Sequence, residues 1–150
     1  MNHISITKIF SFEAAHALRD YDGPCRSIHG HSYKLWVTIK GEVDPKSGMI
    51  LDFGDLKRIV NEVIIFRFDH SLILNEEDEK TNLKSGTLLD NLEVLPFNPS
   101  SENLVVYFSD LLRAALPDKI ELHSLKLYET ETSFTEWYAG IDHKMESFKN

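Results

Sequence analysis

Cys25-Arg-Ser-Ile-His29-Gly-His31-Ser-Tyr33-Lys-Leu35-Trp-Val37-Thr-Ile39 is the stretch from which the fold can be read. From His29 onward every odd position carries an imidazole, an aromatic ring or an aliphatic group, and side chains on an extended strand repeat with a period of two. The spacing predicts a strand whose apolar face begins with two imidazoles. Upstream, Ile4, Ile6, Phe10 and Phe12 share even parity, with Lys8 the exception, which reads as a second half-buried strand. Continued through Ala14, that strand puts His16 on the same face. The intervening Arg19-Asp-Tyr-Asp-Gly-Pro24 has the charge, glycine and proline of a loop. The two strands are expected to pair as a long hairpin that brings His16 beside His29 and His31.

Working outward, Gly41 to Gly48 is rich in turn residues, and Met49 to Leu51 is a short extended piece. Asp52 or Asp55 then precedes a helical stripe of Leu56, Ile59, Val60, Val63 and Ile64, expected to end near Phe66. Asp69-His70 and the apolar run Leu72 to Leu74 follow. Asn75 to Asn91 shows no period and reads as a long surface loop. Pro99-Ser-Ser-Glu102 opens a second helix, with serine as cap and glutamate in the positive first turn. Leu104, Phe108, Leu111, Leu112 and Ala115 give it a buried stripe, and Pro117 stops it. Leu125 and Leu127 alternate with polar neighbours in a third strand, whose odd face leads to Glu129, and Phe134 to Tyr138 returns as a fourth. Two strands, two helices and two strands predict an α+β fold, a four-stranded antiparallel sheet with two helices on one face.

The chain of 150 residues, 42% hydrophobic and 11% aromatic, is expected to close one domain over residues 1–150. A formal charge of -8 argues against a nucleic acid or an anionic membrane as the main partner, because both need a concentrated basic face. It leaves an anionic small molecule open. One cysteine excludes an internal disulfide, and with no apolar leader or long apolar run the expected home is a reducing cytoplasm.

Three imidazoles gathered in an apolar neighbourhood desolvate three polar rings, which is tolerated when the rings are paired or bind a metal. Paired strand histidines are the alternative to a metal site. Three histidine ligands would leave one coordination position open, the pattern of a catalytic zinc. Cys25 is either a small buried hydrophobe or an exposed thiol near the metal, where positive charge would favour a thiolate able to act as base or nucleophile. Asp69-His70 reads as a surface dipeptide or as an acid/base partner for that cysteine. Glu129 either follows a strand that has already left the core or offers its carboxylate to a planar ligand with ring N–H and amino donors. Ser100, Ser101 and Glu102 fit a capping role, and His3, His123 and His143 are expected at the surface.

Seven motifs, Phe12-Glu-Ala-Ala-His16, Cys25-x-x-x-His29-Gly-His31, Gly41-Glu-Val-Asp44, Met49-Ile-Leu-Asp-Phe53, Asp69-His70, Pro99-Ser-Ser-Glu-Asn103 and Tyr128-Glu-Thr130, stand in one order over nearly the whole chain. In them the sequence resembles the family of 6-pyruvoyltetrahydropterin synthase and QueD, 6-carboxy-5,6,7,8-tetrahydropterin synthase. The resemblance implies the tunnelling fold (T-fold), in which subunits join through their sheets into a barrel, commonly a homohexamer built as a dimer of trimers. It implies a lyase with Zn2+ on His16, His29 and His31, Cys25 as the proton-abstracting group, Asp69 and His70 as its acid/base partners, and Glu129 as the anchor of a pterin ring. Thr130, Ser100 and Ser101 would line the pterin pocket, the latter two across a subunit boundary.

Three residues between the cysteine and His-Gly-His resembles the QueD form, whereas the pyruvoyl synthases resemble a form with five. The implied reaction converts 7,8-dihydroneopterin triphosphate to 6-carboxytetrahydropterin with loss of acetaldehyde and triphosphate, on the way to queuosine. The alternative is 6-pyruvoyltetrahydropterin synthase, with no carbon lost. A further alternative is a non-catalytic, zinc-stabilised assembly module. The segment from Glu76 to Asn98 is longer than in compact QueD proteins, and Arg26 stands closest in sequence to the cysteine as a contact for the triphosphate.

Overall fold

The computed structural model describes residues 2–84 and 90–140. β1 (His3–His16) and β2 (His29–Glu42) pair antiparallel along their whole length, with Phe10 opposite Leu35, Phe12 opposite Tyr33, Ala14 opposite His31 and His16 opposite His29. The parity reading holds in both strands. Even positions from Phe10 to His16 are buried, as are odd positions from Tyr33 to Gly41, while their neighbours mostly face outward. Phe12 stacks on Tyr33 with ring centroids 4.8 Å apart, and Phe108 meets Phe12 edge-on at 6.1 Å. Burying such a ring stabilises the fold by about 1.5–3 kcal/mol.

Among the described residues four further strands are present: β3 (Ser71–Asn75), β4 (Leu92–Leu95), β5 (Glu121–Tyr128) and β6 (Phe134–Tyr138), in the sheet order β4-β3-β1-β2-β5-β6. The four expected strands pair antiparallel as β1, β2, β5 and β6. Among the described residues the sheet nevertheless has six strands and is mixed, because β3 adds parallel to β1, and β4 parallel to β3. All five residues of β3 are buried, so the strand shows no polar–apolar alternation, which is the signature of a strand covered on both faces. β4 lies in the stretch from Glu76 to Asn98, just past the Asn75 to Asn91 segment read as a loop. That stretch also holds a 3₁₀ helix at Glu79–Lys84, and residues 85–89 lie outside the described residues. A register shift between Thr38 and Ile39 separates Leu122 from Ser124 on β5 and moves its buried row to the odd residues Leu125 and Leu127.

Helix α1 (residues 53–68) starts at Asp52, whose carboxylate accepts from the Gly54 N–H at 2.6 Å, and runs two residues past the expected end. Its middle, Asn61–Ile65, is a π-helical turn. At 3.6 residues per turn, Phe68 would lie about 120° round the axis from Leu56. The under-wound turn brings both back to one face, and Leu56, Val60, Ile64 and Phe68 are all fully buried. Helix α2 (Ser101–Ala115) is capped by Ser100, whose hydroxyl accepts from the Asn103 N–H at 3.2 Å. Both helices pack with Phe12, Tyr33, Leu35, Leu125 and Leu127 in one core, on one face of the sheet as expected. No helix among the described residues is long and apolar enough to cross a membrane.

Candidate metal centre and its surroundings

Below Phe12 and Tyr33 the two buried rows continue as imidazoles. His16, His29 and His31 each offer a ligand atom, all within 4.8 Å of one another, a group that could hold a metal ion. Backbone carbonyls fix the tautomers of two of the rings. His16 Nδ1 lies 2.6 Å from the Pro99 carbonyl and His29 Nδ1 lies 2.8 Å from the Ser27 carbonyl. A carbonyl can only accept, so each Nδ1 carries the hydrogen and each neutral ring keeps a bare lone pair on Nε2. Those two Nε2 atoms face each other at 3.0 Å. Two lone pairs at that distance repel unless a proton or a cation lies between them. Tetrahedral ligands about 2.0–2.1 Å from a zinc ion are themselves separated by a little over 3 Å, so the spacing fits a metal. His31 Nε2 is buried with no hydrogen-bond partner and lies 3.6 Å from Glu129 Oε2.

Burial favours the neutral form of the His16 and His31 rings. Burial lowers the pKa of His16, opposed by its bond to Pro99, and burial likewise lowers that of His31, opposed by the Glu129 charge. Tyr33, fully buried next to the cluster, has its phenol pushed far up, first by burial and then by Glu129. Its hydroxyl lies 3.4 Å from His16 Nδ1.

Glu129 follows β5 directly, and its N–H donates to the Ser133 carbonyl at 3.1 Å, which closes the turn into β6. The carboxylate borders a cavity of about 370 Å³ lined also by Ser32, Lys34, Trp36, Tyr128 and Thr130. Thr130 borders the same cavity as Glu129. Ser100 and Ser101 do not line this cavity: Ser100 caps α2, and the buried Ser101 gives its carbonyl to the Thr135 hydroxyl at 3.3 Å.

Asp69 and His70 form a pair, with His70 Nδ1 3.1 Å from Asp69 Oδ1. The turn that carries them is clipped to β1 at one residue. Asp69 Oδ1 accepts from the Glu13 N–H at 2.9 Å, and the His70 N–H donates to the Glu13 carbonyl at 2.6 Å. The Glu13 bond is the first cause of a lowered Asp69 pKa, so that carboxylate stays ionised. His70 adopts the left-handed conformation (φ 59°), uncommon for a residue with a side chain. Its ring is largely exposed and borders a second hollow, of about 330 Å³, together with Glu13, His31 and Ser32.

Cys25 is half-buried on the 3₁₀ turn Pro24–Arg26, and its carbonyl accepts from the Leu18 N–H at 2.9 Å. No hydrogen bond joins its thiol to His70 or to the three histidines among the described residues. Arg26 borders a third hollow with Arg19 and Lys80, but Arg19 is bound to Glu77 at 2.6 Å and Lys80 to Asp78 at 3.6 Å. His3 and His123 are exposed, His3 pairing with Glu42 at 3.2 Å. His143 lies outside the described residues.

A model of the 6-pyruvoyl tetrahydropterin synthase family matches residues 5–139, which include the three histidines, the Asp69-His70 pair and Glu129. The chain belongs to this family. It is 37% identical over 139 residues to a 6-carboxy-5,6,7,8-tetrahydropterin synthase from Haemophilus influenzae, covering 88% of this chain and 96% of that protein. It is 30% identical to a 6-pyruvoyl tetrahydrobiopterin synthase from Poecilia reticulata, covering 84% of each. The structure of the 6-pyruvoyl tetrahydropterin synthase from Caenorhabditis elegans superposes with a TM-score of 0.69 at 25% identity, over 93% of this chain and 98% of that one. This family member therefore has the fold that the motifs imply.

The residues that sequence reasoning missed are acceptors and clips. Pro99 and Ser27 act through carbonyl oxygens, and Glu13 acts on the Asp69-His70 turn through its peptide groups. A backbone carbonyl has no residue-type signature, although Pro99 stands immediately before a readable helix cap.

Proposed function

We propose that the chain is a zinc-dependent 6-carboxy-5,6,7,8-tetrahydropterin synthase, a lyase that converts 7,8-dihydroneopterin triphosphate to 6-carboxytetrahydropterin with release of acetaldehyde and triphosphate. The observation that carries the reading is the pair of facing Nε2 atoms of His16 and His29, each freed for a metal by a carbonyl on Nδ1, with the His31 ring beside Glu129. Relatives named as carboxytetrahydropterin synthases, at 31–37% identity over most of the chain, support the choice of reaction.

His16, His29 and His31 would hold the zinc as neutral imidazoles. When bound, the metal supplies Lewis-acid polarisation of hydroxyl oxygens on the substrate side chain, which acidifies the neighbouring C–H bond. Cys25, as thiolate, takes that proton. Asp69, held ionised by the Glu13 N–H, orients the His70 ring and stabilises its protonated form, so that His70 can return a proton as triphosphate leaves. Glu129 accepts hydrogen bonds from the ring N–H and amino group of the pterin, which sets the side chain against the histidines. Thr130 lines the same pocket, while Ser100 and Ser101 would reach a neighbouring subunit's pocket in a homohexamer built as a dimer of trimers. The protein would work in the cytoplasm, as one domain.

The second reading, 6-pyruvoyltetrahydropterin synthase, draws on relatives of that name such as the Poecilia protein. The three-residue spacing between Cys25 and His29 favours the first. Incubation with 7,8-dihydroneopterin triphosphate and an assay for acetaldehyde separates them, since a pyruvoyl product without acetaldehyde would overturn the carboxypterin assignment. Elemental analysis tests the zinc: an active preparation free of metal would remove it from the account.

A further inference from the structure

The segment that returns to α2 ends in Asn98-Pro99, and it meets the end of β1 at three points. The Pro99 carbonyl accepts from His16 Nδ1 at 2.6 Å. Three residues beyond His16, the Arg19 N–H donates to Asn98 Oδ1 at 3.1 Å, and Asn98 Nδ2 donates back to the Arg19 carbonyl at 2.9 Å. One side-chain amide thus pairs with a peptide unit as a strand neighbour would, in a stretch where β1 has already ended. The residue next to it, Leu18, donates its N–H to the Cys25 carbonyl at 2.9 Å.

Asn98 is itself held from the other side. Its carbonyl accepts from the Ser100 N–H and from Asn103 Nδ2, each at 2.9 Å, and Ser100 in turn caps α2 at Asn103. A residue before proline is biased to the extended conformation, which further limits its freedom. The result is an unbroken path from the start of α2 through Asn98 to Arg19, Leu18 and Cys25, with a branch through Pro99 to His16.

We propose that Asn98 is a positioning residue that fixes the Cys25 loop relative to the His16 imidazole, because its amide grips the Arg19 peptide while the next carbonyl in the chain orients the His16 ring. This rests on the reading of His16 as a metal ligand and of Cys25 as the reacting thiol. Groups that orient a ligating imidazole typically change metal affinity by about 10–100-fold when removed. Asn98 acts on the ligand and on the thiol together, whereas the Arg19–Glu77 ion pair holds only the outside of the loop.

The test compares Asn98→Ala and Asn98→Asp with wild type and with Leu111→Ala, which loosens the α2 core face without touching this bridge. Aspartate keeps an acceptor for the Arg19 N–H but cannot donate to the Arg19 carbonyl. Three quantities are measured: Co2+ or Zn2+ affinity by chelator competition, the rate at which Cys25 reacts with a disulfide reagent in the metal-free protein, and kcat and KM separately. Both Asn98 variants are expected to weaken metal binding about tenfold or more and to change the thiol rate several-fold. They are expected to lower kcat with KM within about threefold, the pattern of an interaction that serves the transition state.

Metal affinity and thiol rate both within twofold of wild type would overturn the proposal. So would the same changes in Leu111→Ala at equal loss of melting temperature. If Asn98→Ala does not fold, Asn98→Asp decides by the same readings. Should wild type release no acetaldehyde while the Asn98 variants shift metal affinity and thiol rate, the reaction assignment fails and the positioning role stands.

Discussion

The β1–β2 hairpin is built twice over from one alternation, and its two ends are held by different chemistry. Toward Phe10 and Leu35 the inward rows are aromatic and aliphatic, and packing alone satisfies them. Toward His16 and His29 the same rows carry imidazoles, whose polar atoms each need a partner. Carbonyls of Pro99 and Ser27 provide for the Nδ1 side, and the Nε2 side is left converging. One end of the ladder is complete in itself, while the other is left with converging lone pairs that a bound cation would satisfy.

That contrast can be attacked in five ways. The largest effect is expected from Cys25→Ala, which should lower acetaldehyde release by about 10²–10⁴-fold, the usual contribution of a positioned proton acceptor. Melting temperature should stay near wild type, because the half-buried thiol packs on a loop. Undiminished turnover would return the non-catalytic reading to favour. Next, Phe12→Ala should cost about 3–5 kcal/mol in urea unfolding, as for other large-to-small changes in a packed core. It should leave metal bound by the molecules that remain folded. His29→Ala should do the reverse, with bound metal per chain falling toward zero and the stability of the metal-free protein little changed. If His29→Ala destabilises the metal-free protein as much as Phe12→Ala, the two ends do not differ in the way described.

A smaller effect concerns pH. Burial lowers the pKa of His16 and His31, so in the metal-free protein both rings stay neutral in the fold at a pH where the unfolded chain, near 6.5, begins to take up protons. The unfolded state then binds more protons, and stability rises with pH. The urea midpoint of the metal-free protein should be flat above about pH 6.5 and should fall as the pH drops below it. A midpoint that rises on acidification would contradict neutral buried rings. The smallest effect is expected of Tyr33→Phe, which keeps the stacking on Phe12 and loses only the long contact to His16. Its cost should be at most about 1 kcal/mol, with metal affinity shifted less than by the loss of any histidine.

The hairpin was legible because a period of two survives when one face is buried, and it carried His16, His29 and His31 into one neighbourhood on paper. Glu129 was legible for the same reason, at the end of the odd row of β5. β3 and β4 were not, since a strand buried on both sides and a four-residue edge strand show no alternation to read. Nor does sequence display the contacts made by peptide groups, and this is why the Pro99 carbonyl and the Glu13 clip had to come from the structure. Asp69-His70 was visible only as a dipeptide. What gives it a place is the parallel pairing of β3 with β1, which carries Ser71 opposite Ala14 and sets His70 against Glu13.

The π-helical turn in α1 makes the helix a timing element. The chain leaves α1 at Phe68 and enters the Asp69-His70 turn at once, so the rotational phase of the helix decides which way those two residues emerge. Rewinding Asn61–Ile65 as regular α-helix at the same length would turn everything downstream by about 100°. Phe68 would leave its seat against Phe108, and the Asp69-His70 pair would be carried away from β1. Winding and length in this five-residue stretch are therefore coupled: an α-helical turn there would keep Phe68 on the face of Leu56 only with one residue fewer.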